Sequence, residues 1–170
     1  MSDDKQVTMH GNPLNLLGQA VAVGQKAPDA ELLANDLSPK KISDYKGKVV
    51  ILSVVPSLDT PTCDLQTRRF NSEAAGLGGD VVILTISMDL PFAQKRWCGA
   101  AGADAVITLS DHREAAFGMA YGMLIKELRL LARAVLVLDR EGKIAYIQRV
   151  TELSEEPDYD EVLAAVKKVV

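Results

Sequence analysis

The sequence predicts an α/β fold, with a central mixed sheet flanked by helices and a β-hairpin added at the amino end. Three observations carry that prediction. KVVILSVV (48–55) and VVILTIS (81–87) are apolar, β-branched runs, the pattern of strands covered on both faces. The stretch between them opens on Pro61 and is closed by Gly76, Gly78 and Gly79, so it reads as a helix. Strand, helix and strand make a βαβ unit with parallel strands and a right-handed crossover. Further on, two more strand patterns are separated by Asp139, Arg140, Glu141 and Gly142, an antiparallel hairpin signal.

The elements follow in chain order. Residues 1–6 read as a loose tail. Residues 7–17, VTMHGNPLNLL, place a Gly-Asn-Pro turn signal between two half-apolar arms, a β-hairpin. Residues 24–44 are loop-like, with Pro28 and Pro39 and room for a short strand over 30–33. ISDYKGK is one helical turn ended by Gly47. The first strand of the βαβ unit spans 48–55, its helix 61–75 and its second strand 81–87. Residues 91–98 form a short helix, with proline in its first turn and Gly99 at its end. A strand over 106–109 and a helix over 113–121 follow, then the hairpin strands 134–138 and 144–149. The last helix, 159–169, follows Pro157 and carries Val162, Leu163, Val166 and Val169 at near-helical spacing. A βαβ half followed by a ββα half is the thioredoxin-like arrangement. No repeat or linker interrupts it, so residues 1–170 read as a single domain.

Composition narrows the function classes. Hydrophobic residues make up 48%, charged residues 25% and aromatics 5%, the balance of an ordinary globular domain. A formal net charge of −4 provides no broad basic field, which argues against nucleic acid or an anionic membrane as partner. No stretch reaches the roughly eighteen consecutive apolar residues of a membrane span. The opening MSDDKQVTMHGNP is polar and acidic and does not read as a secretory signal. The expected setting is therefore the cytoplasm. In that reducing environment the chain's two cysteines, Cys63 and Cys98, read as catalytic or redox-sensing rather than structural.

Cys63 lies where the buried-strand pattern breaks, in PSLDTPTC (56–63). Thr60 can cap the following helix and Pro61 suits its first position, which puts Cys63 in the first turn. Amides there lack intrahelical partners, and the helix dipole turns its positive end toward the thiol. A free thiol titrates at about 8.5, and a helix N-terminus with a nearby cation brings such groups below neutrality. The thiolate is the nucleophile, so the position suits a reactive cysteine, while a buried structural thiol is an equal reading on position alone.

Cys98 lies 35 residues downstream and forms no CxxC pair, so disulfide reductase chemistry lacks its usual motif. The two histidines, His10 and His112, show no ligand spacing with the cysteines and read as surface or capping residues. What remains is a pair in which one thiol reacts and the other resolves it. Arg133 begins an apolar strand, and on pattern alone an arginine there reads as a surface residue at a strand end. Arg68 and Arg69 read as the solvated or partner face of the Cys63 helix. Trp97 reads as packing that holds the second helix down.

Pro56, Thr60 and Cys63 fit the PxxxTxxC signature of peroxiredoxins, and the chain resembles the thiol peroxidase subgroup in particular. The resemblance runs through VTMHGNPLNLLG, VGQKAPD, VVPSLDTPTCDLQTRRFN, FAQKRWCGAAG, LLARAVLVLD and EEPDYDEVL, in order and across nearly the whole chain. It implies Cys63 as the peroxidatic cysteine, oxidised by peroxide to a sulfenic acid. It implies Thr60 as a hydrogen-bond partner of thiolate and peroxide, Pro56 as a shield from water and Arg133 as a stabiliser of negative charge. Cys98 would be the resolving cysteine, closing an intramolecular disulfide that thioredoxin reduces. The resemblance further implies a homodimer, without metal or organic cofactor, acting on small hydroperoxides, with alkyl hydroperoxides favoured over hydrogen peroxide. A different class of protein, a non-catalytic thioredoxin-like module whose cysteine pair switches a protein partner, is the competing reading. With both cysteines on short helices, disulfide closure would require one or both helix ends to unwind.

Overall fold

The computed structural model describes residues 5–170; the first four residues of the expected tail lie outside it. Its strands are β1 (Gln6–Met9), β2 (Asn12–Leu17), β3 (Glu31–Leu33), β4 (Pro39–Lys41), β5 (Val49–Val54), β6 (Val81–Ser87), β7 (Ile107–Ser110), β8 (Leu124–Ile125), β9 (Ala134–Leu138) and β10 (Ile144–Arg149). Its helices are α1 (Pro61–Leu77), α2 (Pro91–Ala101), α3 (Ala116–Tyr121) and α4 (Tyr159–Lys167), with one 3-10 turn at Ile42–Tyr45. Among the described residues, seven strands form a mixed sheet in the order β10-β9-β5-β6-β7-β3-β4, and β1-β2-β8 form a separate small sheet. The fold is thioredoxin-like, with the predicted extra hairpin.

β5, β6 and β7 are parallel, and β9 runs antiparallel to β5 with Val54 opposite Ala134. The continuous apolar run of β5 is explained by its two covered faces. Val50, Leu52 and Val54 face a core shared with Leu84, Ile86, Phe117 and Tyr121. Val49 and Ile51 face the opposite core, built with Phe70 of α1 and Val162 and Val166 of α4. Each fully buried aliphatic side chain contributes about 1.5–3 kcal/mol. Side chains alternate along a strand, so Ser53 points to the α1 side. Arg133, just before β9, falls on that side too.

Four details depart from the sequence expectation. The hairpin turn is His10–Gly11, with φ of 50° and 80°, the two positive values of a type I′ turn. Asn12 and Pro13 therefore enter β2, where Pro13 opposes Thr8 beyond the reach of β8. α2 continues past Gly99 to Ala101 and is closed by Gly102 in the left-handed region at φ 63°, which leaves Cys98 inside the helix. α3 starts at Ala116 rather than 113, because Ala115 is left-handed at φ 53° and Asp111 accepts from the Phe117 and Gly118 amides. β4 and β8 carry no local strand pattern and are set by their partners.

Candidate active site

Thr60 stands at the N-cap of α1 with extended backbone, and Pro61 is the first helical residue, as the sequence predicts. Its hydroxyl does not cap the helix. It lies 2.7 Å from Cys63 Sγ and 2.9 Å from the Ser57 carbonyl. One proton cannot serve both. A thiolate takes it from Thr60, whereas a thiol donates to Thr60 while Thr60 donates to Ser57.

Cys63 is fully buried. It packs with Val55, Leu58 and Trp97. On its other side Arg133 Nη2 donates to the sulfur at 3.3 Å. Arg133 is only 2% exposed, so the surface reading suggested by strand pattern alone is overturned. Its guanidinium is held by the Leu153 carbonyl, which accepts from Nε at 3.1 Å and Nη2 at 2.8 Å, and by Gln66 Oε1, which accepts from Nη1 at 2.9 Å. Gln66 in turn donates to Ser53 Oγ at 2.8 Å. Gln66 and Leu153 were not among the residues the sequence singled out. A signal existed for Gln66: with Thr67 it is one of two polar residues in the buried stripe Cys63, Gln66, Thr67, Phe70 on α1.

The loop that carries Thr60 is itself tied down. Asp89, at the end of β6, accepts from Ser57 Oγ at 2.7 Å, from the Leu58 amide at 2.8 Å and from Ser87 Oγ at 2.7 Å. Pro56 is buried and, with Thr60 and Arg133, lines a cavity of about 350 Å³. Met9 and His10 from the hairpin, with Leu128, Leu130 and Leu153, add most of its apolar wall. The hairpin tip is fixed there by Glu152, which accepts from Thr8 Oγ1 at 2.6 Å and from the His10 amide at 2.8 Å. Exposed His10 thus serves as turn and rim; His112 donates its amide to Ser110. Among the described residues no three His, Cys, Asp or Glu side chains converge to hold a metal ion, and no helix is long and apolar enough to cross a membrane.

Cys98 is half-buried and separate from this cavity. It lies in a groove lined by Asn35, Lys40, Lys95 and Thr108, with the Thr108 hydroxyl 3.7 Å from its sulfur. Burial pushes its thiol above the ordinary cysteine value, and the nearby Asp104 adds to this against the Thr108 hydrogen bond. Both cysteines are free thiols. Pro56, Thr60, Cys63 and Arg133 therefore meet in one place, while Cys98 waits on a neighbouring helix.

A sulfur between a hydroxyl and a guanidinium, in the first turn of a helix on a thioredoxin-like sheet, defines a buried redox-capable thiol centre. Residues 22–163 match the family described as Redoxin. The chain is 60% identical over 162 residues to a thiol peroxidase of Oceanobacillus iheyensis, covering 95% of this chain and 98% of that protein. It is 56% identical over 165 residues to a thiol peroxidase of Bacillus subtilis, covering 97% and 98%. A solved peroxiredoxin-like protein from Aquifex aeolicus superposes with a TM-score of 0.91 at 43% identity, over 98% of both chains. The chain belongs to the redoxin family and, within it, to the thiol peroxidases. It is an oxidoreductase with thiol-dependent peroxidase activity.

Proposed function

We propose that the chain reduces hydroperoxides through Cys63 and recycles through a Cys63–Cys98 disulfide. The observation that carries this reading is Cys63 Sγ held between the Thr60 hydroxyl at 2.7 Å and Arg133 Nη2 at 3.3 Å. Both donors favour negative charge on the sulfur and on an oxygen bonded next to it. The Cys63 thiolate attacks one peroxide oxygen. A sulfur–oxygen bond forms, the oxygen–oxygen bond breaks, and the alkoxide or hydroxide leaves and takes up, through solvent, the proton that the Cys63 thiol released on ionising. The peroxide gains two electrons and Cys63 becomes a sulfenic acid. Pro56 keeps bulk water from this centre.

In the second step the Cys98 thiol attacks the sulfenic sulfur. The disulfide forms, the sulfur–oxygen bond breaks, and the hydroxyl leaves with the thiol proton as water. A disulfide needs Cα atoms about 4.4–6.8 Å apart, and the two thiols occupy separate surroundings, so α2 must unwind around Cys98 first. Thioredoxin dithiol is the proposed reductant. The apolar wall of Met9, Pro56, Leu128, Leu130 and Leu153 favours organic hydroperoxides over hydrogen peroxide. A single domain of residues 1–170, assembled as a homodimer in the cytoplasm, completes the proposal on the strength of the family resemblance.

Peroxide consumption coupled to thioredoxin, its reductase and NADPH tests the scheme across a panel of peroxides. Cys63→Ser should abolish turnover. Cys98→Ser should allow one oxidation of Cys63 without thioredoxin-supported turnover. Full turnover in Cys98→Ser would overturn the disulfide route.

A further inference from the structure

α2 is bound firmly at its start and thinly at its end. Pro91 and Gln94 are buried, and Gln94 donates to Ser87 and to the Leu109 carbonyl. Beyond them Lys95, Arg96, Gly99 and Ala100 are exposed. Gly99 is an interior helical glycine, which weakens this turn by about 1 kcal/mol relative to alanine. The large side chain that fastens this half is Trp97. It packs against the Val55, Leu58 and Cys63 cluster and against the core around Phe70, and its indole Nε1 donates to Asp64 Oδ1 of α1 at 3.0 Å. The other carboxylate oxygen accepts from Arg68 Nε at 2.9 Å, and the Arg68 guanidinium lies 5.7 Å from the Trp97 ring centre. One turn further along α1, Asn71 accepts from the Ala105 amide just after α2. Asp64, Arg68 and Asn71 thus form a polar stripe at helical spacing that faces α2 and its exit.

Asp64 follows the reacting cysteine directly, and Trp97 precedes the second one directly. We propose that Asp64 is a positioning residue that latches the end of α2 through Trp97 and so sets how soon Cys98 reaches oxidised Cys63. The latch rests on the disulfide route proposed above. While it holds, Cys98 stays in its own groove and sulfenic Cys63 remains exposed to a second peroxide, which would carry it to sulfinic acid. When it releases, the indole leaves the space beside Cys63 and the glycine-weakened turn can open. The raised thiol titration of Cys98 fits a group kept inactive until that opening.

Rapid-quench trapping with intact-mass readout tests this, following sulfenic, disulfide and sulfinic species in the full chain after addition of tert-butyl hydroperoxide. Trp97→Phe keeps a ring and removes the donor; Asp64→Ala removes the acceptor. Both should close the disulfide about three- to tenfold faster, the effect of losing one hydrogen bond to a partly exposed carboxylate. The peroxide concentration that gives half sulfinic product should rise by the same ratio. Asp64→Asn keeps an acceptor oxygen and gives up only the Arg68 pair, which as a surface ion pair contributes little. It should therefore close at the native rate. Trp97 is the sole tryptophan, so its emission should shift to the red as the native disulfide closes, and already at rest in Asp64→Ala. Closure that is unchanged or slower in both Trp97→Phe and Asp64→Ala would overturn the latch alone. Absence of any Cys63–Cys98 disulfide in the native chain would overturn the underlying route, and the latch with it.

Discussion

Gln66 accepts from Arg133 at 2.9 Å while donating to Ser53 at 2.8 Å, so the guanidinium that meets Cys63 is braced from the same helix that carries the thiol. A guanidinium is rigid and forked, and each of its three nitrogens is engaged here. Removing one acceptor leaves a buried donor unpaired and frees the fork to rotate away from the sulfur.

Gln66→Leu should therefore lower stability by about 1–3 kcal/mol, the cost of an unsatisfied buried polar group. It should also slow the first oxidation of Cys63. Urea unfolding and stopped-flow oxidation check the two effects. An unaffected oxidation rate would show that Arg133 keeps its place without Gln66.

Thr60 yields a sharper separation. An N-cap threonine replaced by a residue without a hydroxyl usually costs about 1 kcal/mol. Here the hydroxyl serves Cys63 and Ser57 instead of the helix amides. Thr60→Val should slow the first oxidation by about a hundredfold yet move the denaturant midpoint by less than that usual cap penalty. Thr60→Ser, with its hydroxyl restored, should recover most of the rate. A valine variant that destabilises without slowing would reverse the assignment.

Asp89 binds the active-site loop to the strand from which α2 departs. Asp89→Ala removes the acceptor for Ser57, Leu58 and Ser87 together, and should cost about 2 kcal/mol. Native-state hydrogen exchange should show the Leu58 amide losing protection first. Retained protection at Leu58 would mean that the loop is held by packing alone.

Two carboxyls pull stability in opposite directions with pH. The Thr8 hydroxyl, then that of Ser154, draws Glu152 from the ordinary 4.5 down to about 2. A lowered native value contributes stability above 4.5 that is lost as pH falls toward 2. Burial pushes Asp111 from 3.8 up to about 6, against the Gly118 and Phe117 amides that donate to it. Its contribution therefore diminishes as pH rises from about 4 to 6. Urea unfolding of native protein and Glu152→Gln should converge as pH falls below 4.5. Carboxyl NMR should find Asp111 titrating near 6. A native–variant gap that persists at acid pH, or an Asp111 midpoint near 4, would contradict these assignments.

Much of the fold was legible because its signals are local. KVVILSVV could only be a strand covered twice, and Thr60-Pro61 could open only one helix. The helix turn at Cys63 was visible for the same reason. Arg133 was not readable from pattern, since its burial depends on the pairing of β9 with β5 some eighty residues earlier. Gln66 was not singled out, because its partners Arg133 and Ser53 lie on other elements. Gly99 looked like a helix stop, yet Gly102 adopts the left-handed turn. β8, two residues long, exists through its pairing with β2.

The hairpin joins the site at its rim, while the hydrogen bonds to the sulfur come from Thr60 and Arg133. Met9 and His10 reach the cavity wall, and the two arms are fastened by Glu152 at one end and by Glu127 on Asn15 at the other. The hairpin thus adds Met9 and His10 to a wall that otherwise comes from the same segments as the reacting groups. Exchanging residues 6–17 with those of a relative would recut one edge of the mouth while leaving Thr60, Cys63 and Arg133 in place, which makes the hairpin a compact target for directed evolution.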